Sequence, residues 1–287
     1  MGSWDTYYDP KPLTHVGAQS LGHNVRVKRF PDGSGEVLAC SSAIFGFTGW
    51  EAEKPRKKAR KGAQEAPDGP ERAMRRARAQ VKDLALCTPF KWFVTLTLDG
   101  ARVDRYDIKA ITRKLNNWLD NNVRRKGLCY VLVPERHKDG AIHFHGFFND
   151  ALAAVDSGTL TRDGWAKPRR PRGPAQREKW LAQGAHIVYN LPGWSLGFTT
   201  AIELYGDHHK AVGYVCKYIG KDTEKIGGRW YYSGGKLGHP ELSYFDIPLS
   251  DVQTLPGAFT FSPEGSGLGF VMAQVGPDFF GEVSVDG

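Results

Sequence analysis

The sequence contains only four cysteines, Cys40, Cys87, Cys129 and Cys216, and no two of them form a C-x-x-C pair. This spacing excludes a zinc ribbon and a dithiol redox motif, so we interpret all four as free thiols of a reducing compartment. No run approaches the ~18 apolar residues that a membrane helix needs, and no signal-peptide core is recognisable. We therefore expect a cytoplasmic protein without a membrane partner. A Gly-x-x-x-x-Gly-Lys-Ser/Thr loop is also missing, which excludes a fused ATP-driven helicase.

Positive charge, in contrast, is in excess. The chain has 39 Lys and Arg against 31 Asp and Glu, a formal net charge of +8. Such a balance favours a polyanionic partner, most commonly nucleic acid. Six of the eight residues in 54–61 are basic, and we interpret this run either as a phosphate-neutralising segment or as a solubilising linker. Hydrophobic residues make up 40% of the chain, enough for a packed core.

Hydrophobic periodicity predicts a succession of strands and helices in the middle of the chain. The β-branched and aromatic run Trp92–Leu98 predicts a buried strand. Asp107 and Gly127 are suited to cap the two ends of a following amphipathic helix. Apolar segments at 128–133 and 141–148 are joined by an Asp-Gly turn, which predicts a hairpin. This order predicts an α+β fold in which a central antiparallel sheet of about five strands is flanked by helices.

Composition divides the chain into three expected parts. Residues 1–84 form an N-terminal arm with the basic run and an amphipathic basic helix, in which Pro70 suits the first turn. Residues 85–225 form the core, and residues 226–287 form a C-terminal extension. Within the core, a stretch near 150–195 is rich in Gly, Pro and Arg and is interpreted as an insertion.

A candidate metal site lies on the predicted hairpin. His143 and His145 are two residues apart on a strand, so their imidazoles share one face while Phe144 points into the core. Glu135, at the end of the partner strand, can approach them across the turn. Two imidazoles and a carboxylate leave open positions on a divalent ion. A His-x-His pattern is weak evidence alone, and the alternative for Glu135 is an exposed turn charge.

A second candidate group lies on a predicted helix that Asp207 is expected to cap and that runs to about Lys221. Tyr214 and Tyr218 are four residues apart and therefore share a helical face. Each is followed three residues later by a lysine, Lys217 or Lys221. Paired tyrosines at this spacing are also typical of core packing. The functional interpretation therefore depends on the conjunction of a buried strand, a His pair and this helix in one basic chain.

Three segments resemble motifs I, II and III of the HUH endonuclease superfamily: Phe93-Val94-Thr95-Leu96-Thr97, His143-Phe144-His145-Gly146 and Tyr214-Val215-Cys216-Lys217-Tyr218. The resemblance covers about residues 88–222 and is greatest to two-tyrosine replication initiators of small single-stranded DNA phages and rolling-circle plasmids. It implies an HUH/RRM-like core and a replication initiation protein that nicks and rejoins single-stranded DNA at a rolling-circle origin. The implied intermediate is a 5′-phosphotyrosine.

The resemblance also implies residue roles and partners. The expected catalytic residues are Tyr214, Tyr218 and Lys217. The expected metal ligands are His143, His145 and Glu135, with Mg²⁺ or Mn²⁺ as the ion. Single-stranded origin DNA, a host helicase and a host polymerase are the expected partners, in the cytoplasm of a bacterial host cell.

Other interpretations of the same residues remain open. A relaxase or a tyrosine transposase of the same superfamily would use similar chemistry. A non-catalytic nucleic-acid-binding module would explain the charge and the aromatic residues. A zinc or iron hydrolase would use the His pair and a carboxylate but leave the tyrosines unexplained. Trp230, Tyr231 and Tyr232 are interpreted either as core residues or as stacking partners for bases.

Overall fold

The structure is a computed structural model that describes residues 22–46, 69–205, 208–221, 224–263 and 267–280. The basic run 54–61 and the expected cap Asp207 lie outside these ranges. The chain divides into two compact units, residues 1–63 with 241–287 and residues 64–240. Within the described ranges, no helix combines the length and the apolar character required to cross a membrane.

Twelve strands, five α-helices and a short 3₁₀ helix make up the described chain. In chain order they are β1 (Val25–Arg29), β2 (Gly35–Cys40), α1 (Gly69–Cys87), β3 (Trp92–Leu98), α2 (Ile108–Lys126), β4 (Tyr130–Arg136), β5 (Ile142–Phe148), β6 (Val155–Thr161), α3 (Pro174–Ala182), β7 (His186–Asn190), β8 (Gly197–Glu203), α4 (His208–Tyr218), β9 (Tyr232–Gly234), β10 (Glu241–Phe245), α5 (Leu249–Gln253), β11 (Phe259–Phe261), β12 (Phe270–Val275) and the 3₁₀ helix Pro277–Phe280.

The larger unit is built on a seven-stranded sheet with the order β6-β7-β8-β3-β5-β4-β9, in which all neighbours are antiparallel. The predicted α+β class, with an antiparallel sheet and flanking helices, is confirmed. The sheet is wider than the expected five strands because the stretch near 150–195 forms β6, α3 and β7. Two of these elements extend one edge of the sheet.

Helix α2 covers one face of this sheet. Its ends are those predicted, since the Asp107 side chain accepts a hydrogen bond from the Ala110 N–H at 3.0 Å and Gly127 adopts a left-handed φ of 69°. The apolar stripe of the helix packs on residues that alternate along β3 and β5. This core includes Leu96, Leu98, Ile111, Leu115, Leu119, Leu132, Phe144 and Phe148.

Helices α1 and α4 cover the opposite face. Their buried residues join the other set of alternating strand residues in a second core, which includes Ala77, Val81, Leu84, Val131, Val133, Phe147, Val212, Val215 and Ile219. Trp230 and Tyr231 pack against this second core, while the almost fully buried Tyr232 packs on Phe144 in the first core. Tyr232 is therefore a core residue, whereas Trp230 and Tyr231 are only partly buried.

The smaller unit is a five-stranded antiparallel sheet with the order β10-β1-β2-β12-β11. Its core contains Val25, Val27, Val37, Ala39, Val271 and Ala273. This division differs from the one expected from the sequence, in which the two ends of the chain were an arm and an extension. Strands β1 and β2 pair with β10 and β12, more than 200 residues away. Helix α1, which was expected in the arm, belongs to the larger unit.

Candidate active site

Strand register places the predicted site residues in rows across one face of the central sheet. His143 lies between Thr97 of β3 and Glu135 of β4, and His145 lies next to Thr95. Paired residues of antiparallel strands project to the same side, so all five side chains share the face that carries α4. Phe144 is buried on the opposite face, as the alternation predicted.

Two threonine hydroxyls orient the imidazoles. Thr95 Oγ1 lies 3.1 Å from His145 Nδ1, and Thr97 Oγ1 lies 3.4 Å from His143 Nδ1. Such contacts at Nδ1 restrain the rotation of the rings and leave Nε2 for other partners. Both threonines belong to the first motif of the resemblance. Their contact with the rings depends on the register of β3 on β5, which pairs Thr95 with His145 and Thr97 with His143.

Glu135 is buried, and so it is not the exposed turn charge that the sequence left open. One carboxylate oxygen lies 2.8 Å from His145 Nε2, and the other pairs with Lys221 Nζ. Lys221 reaches the carboxylate because Gly220, with a φ of 89°, turns the chain after α4. Lys217, the lysine expected in the site, has an exposed side chain on α4.

The surroundings of the His pair favour neutral imidazoles. Burial lowers the pKa of His143, and the ring of His137, stacked at a centroid distance of 5.1 Å, lowers it further. Burial also lowers the pKa of His145, although the adjacent Glu135 opposes this effect. A neutral imidazole keeps the lone pair that a metal ion requires.

Tyr218 of α4 contacts the His pair directly, and Tyr214 contacts Tyr218. The ring of Tyr218 stacks on that of His145 at 4.2 Å with an interplanar angle of 6°. Its hydroxyl donates a hydrogen bond of 2.6 Å to the hydroxyl of Tyr214. The ring of Tyr214 makes an edge contact with Phe93, and half of the Tyr214 side chain is exposed.

The two phenols differ in their electrostatic surroundings. Burial raises the pKa of Tyr218 strongly, and the hydrogen bond to Tyr214 and the negative charge of Glu135 raise it further. Tyr218 therefore keeps its proton and acts as the donor of the pair. Tyr214 is the more accessible phenol and accepts that hydrogen bond at its oxygen.

In the part of the chain that the structure describes, no three His, Cys, Asp or Glu side chains converge on a position that could hold a metal ion. The carboxylate of Glu135 contacts His145 and Lys221 instead. The arrangement nevertheless collects two neutral imidazoles, a carboxylate, an ammonium group and two phenols on one surface.

Residues 91–223 match the family model described as replication-associated protein ORF2/G2P. The match covers slightly less than half of the chain and includes the His pair, Glu135 and both tyrosines. No curated protein and no solved structure matches the chain significantly. Over the residues that form its candidate active site, the chain is thus similar to replication-associated proteins, and this similarity supports a role in the initiation of DNA replication.

Proposed function

We propose that this protein is an HUH-type endonuclease that initiates rolling-circle replication of a small single-stranded DNA element. The observation that carries the proposal is the hydrogen-bonded Tyr214–Tyr218 pair, in which the Tyr218 ring stacks on His145 of the sheet. The similarity of this region to replication-associated proteins also supports a role in replication initiation. A host helicase and a host polymerase would complete replication.

Tyr214 is the proposed nucleophile for the first cut. A phenol with a pKa of about 10 is a weak nucleophile near neutral pH. The hydrogen bond that Tyr218 donates to the Tyr214 oxygen stabilises negative charge as it develops there. Half of the Tyr214 side chain is exposed, so a DNA phosphate can approach this oxygen.

The reaction exchanges one phosphoester bond for another. The Tyr214 oxygen forms a bond to phosphorus, and the bond between phosphorus and the 3′ oxygen breaks. The phenolic proton passes to solvent, and the 3′ oxygen takes up a proton from solvent and leaves as a hydroxyl group. The 5′ end of the DNA stays on the tyrosine. Attack of a 3′ hydroxyl on this phosphotyrosine reverses the exchange and rejoins the strand.

His143, His145 and Glu135 fit a divalent cation in their chemistry. The two rings are neutral, and the threonine contacts at Nδ1 leave Nε2 as the ligating nitrogen. Glu135 would exchange its contacts with His145 and Lys221 for the ion. Bound Mg²⁺ or Mn²⁺ would supply Lewis-acid polarisation of the phosphate. Lys221, which pairs with Glu135, would supply a positive charge beside the same phosphate.

The second tyrosine allows a second cut without release of the first product. The two hydroxyl oxygens are 2.6 Å apart, so both reach nearly the same phosphate position. One tyrosine would hold the old 5′ end while the other cuts the regenerated origin. This alternation explains why both phenols lie on one face of α4.

A covalent-adduct assay tests the proposal. Labelled single strands that tile the parent replicon are incubated with the full-length protein and Mn²⁺ and analysed on a denaturing gel. We expect a protein–DNA band that needs the metal and is lost in the double variant Tyr214→Phe, Tyr218→Phe. Tyr244→Phe, in the sheet of the smaller unit, is the matched control and should keep the band. Binding of DNA without any adduct would instead identify a non-catalytic module.

A further inference from the structure

A cleft of about 670 Å³ opens beside Tyr214, and the proposed chemistry makes no use of most of it. Its walls are the loop 161–165 after β6, the segment 202–205 at the end of β8, and the first turns of α4, where Tyr214 itself contributes. The volume lies within the range of about 300–1,000 Å³ that is typical of small-ligand sites. The cleft can therefore hold a nucleotide next to the nucleophile.

One wall presents an aromatic ring for stacking. Tyr205 lies nearly parallel to His186, with an interplanar angle of 10° and a centroid distance of 3.2 Å. His186 thus supports one face of the ring, while 46% of the Tyr205 side chain stays exposed. Aromatic rings held in this way are the usual platforms for unpaired bases.

The wall formed by residues 161–165 carries positive charge in a fixed position. The guanidinium groups of Arg162 and Arg169 lie 5.2 and 4.8 Å from the centre of the Trp165 ring. Trp165 itself packs edge-on against Trp180. Two backbone hydrogen bonds of 2.8 Å between Leu160 and Arg169 close the loop at its base. Arg162, which lines the cleft, is therefore held where the sugar-phosphate backbone of a bound strand would pass.

An acidic side chain also faces the cleft. Asp163 is one of the residues that line it, together with Tyr205. Burial and Asp163 raise the pKa of Tyr205, and Asp163 opposes the lowering of the His186 pKa by burial. A carboxylate accepts hydrogen bonds from the exocyclic amino groups of bases, and thymine has no such group.

We propose that this cleft binds one unpaired nucleotide of the substrate strand, next to the phosphate that Tyr214 attacks. The base stacks on Tyr205, and Asp163 favours cytosine or another amino base over thymine. The position relative to the cut phosphate rests on the proposed function. The inference gives the edge strands β6 and β7, with the loop 161–165, a role in the choice of cleavage sequence.

The test measures binding without cleavage. Fluorescence anisotropy of labelled oligo-dC and oligo-dT of about 16 nucleotides is recorded with the full-length protein in EDTA. We expect Tyr205→Leu to weaken binding of oligo-dC roughly tenfold, because stacking contributes about 1–3 kcal/mol per base. Tyr205→Phe keeps the ring and should bind as the wild type does. Phe259→Leu, a similarly exposed aromatic residue of the smaller unit, is the matched control.

A second variant tests base choice. The wild type should bind oligo-dC more tightly than oligo-dT, and Asp163→Ala should bring this ratio close to one. Circular dichroism melting of each variant checks that its fold is intact.

The outcomes separate the two proposals. Unchanged binding in Tyr205→Leu, in a protein that still forms the covalent adduct, overturns the cleft and leaves the proposed function standing. Binding that depends on Tyr205 in a protein that forms no adduct supports the cleft and contradicts the nuclease. A folded wild-type protein that binds neither oligonucleotide overturns the cleft, and the adduct assay alone then decides the proposed function.

Discussion

The hydroxyl of Tyr218 donates a 2.6 Å hydrogen bond to that of Tyr214, while the ring of Tyr218 lies parallel to the imidazole of His145. The two tyrosines are therefore not equivalent before the first cut. Tyr214 is the exposed acceptor. Tyr218, one helical turn later, is the more buried donor, and its ring stacks on His145.

This inequivalence predicts different effects of the two single substitutions. Tyr214→Phe should abolish the first cleavage. Tyr218→Phe should slow it only about tenfold, because it removes one hydrogen bond worth roughly 1–1.5 kcal/mol, but should prevent the second cut. Single-turnover rates on a one-origin strand and product analysis on a two-origin strand measure the two steps. Normal first cleavage by Tyr214→Phe would reverse the assignment.

Lys217 lies on α4 and Lys221 follows the helix, so substitutions of these two lysines can be compared directly. Both lysines are exposed, but it is Lys221 that pairs with the carboxylate of Glu135. Lys221→Met should therefore reduce the rate of adduct formation at least about tenfold, as expected for loss of a positioned charge. Lys217→Met should change it by less than about threefold. Equal losses in the two variants, measured at saturating DNA, would contradict the placement of Lys221 at the phosphate.

The threonine contacts predict an effect on metal binding that can be measured without DNA. Thr95→Val and Thr97→Val keep the side-chain shape but remove the hydroxyl groups beside Nδ1 of the two imidazoles. Loss of such contacts typically lowers metal affinity about 10- to 100-fold. Titration calorimetry with Mn²⁺ measures the change. Thr200→Val, at the position paired with Thr95 on β8, is the control and should keep the wild-type affinity.

Gly146 of the second motif is predicted to be required for the close packing of β5 against β4. A Cβ atom at this position would lie 1.9 Å from the carbonyl oxygen of Val131 on the neighbouring strand. Gly146→Ala should lower the free energy of unfolding by about 1–3 kcal/mol or more. Gly213→Ala, where a Cβ would meet no atom within 4 Å, should instead stabilise α4 by up to about 1 kcal/mol. Urea denaturation followed by circular dichroism compares the two.

The burial of Cys216 predicts that the reactivity of its thiol depends on pH. Burial raises the pKa of its thiol to about 11, although Lys82 and Arg78 oppose the shift. The fold therefore favours the protonated thiol, and this contribution to stability is present below the ordinary pKa of 9.0 and lost as the pH rises toward 11. Modification by a disulfide reagent should be slow near neutral pH and accelerate over that range. The accelerating phase should be absent in Cys216→Ala.

Part of the candidate site was predictable because it depends on local periodicity. Alternation along a strand placed His143 and His145 on one face, and helical spacing did the same for Tyr214 and Tyr218. The proximity of Glu135 followed from the hairpin turn. The role of Lys221 did not, because its path depends on the turn at Gly220 after α4.

Local patterns in the sequence therefore determined the strand Trp92–Leu98, the caps of α2 and the shared faces of the paired residues, since each involves neighbours a few positions apart. The tertiary structure alone decided which strands pair. It joined β1 and β2 to β10 and β12, set Thr95 and Thr97 beside the imidazoles, and formed the cleft at Tyr205. Such contacts link residues far apart in the chain, and they depend on sheet register and helix packing that no local period encodes.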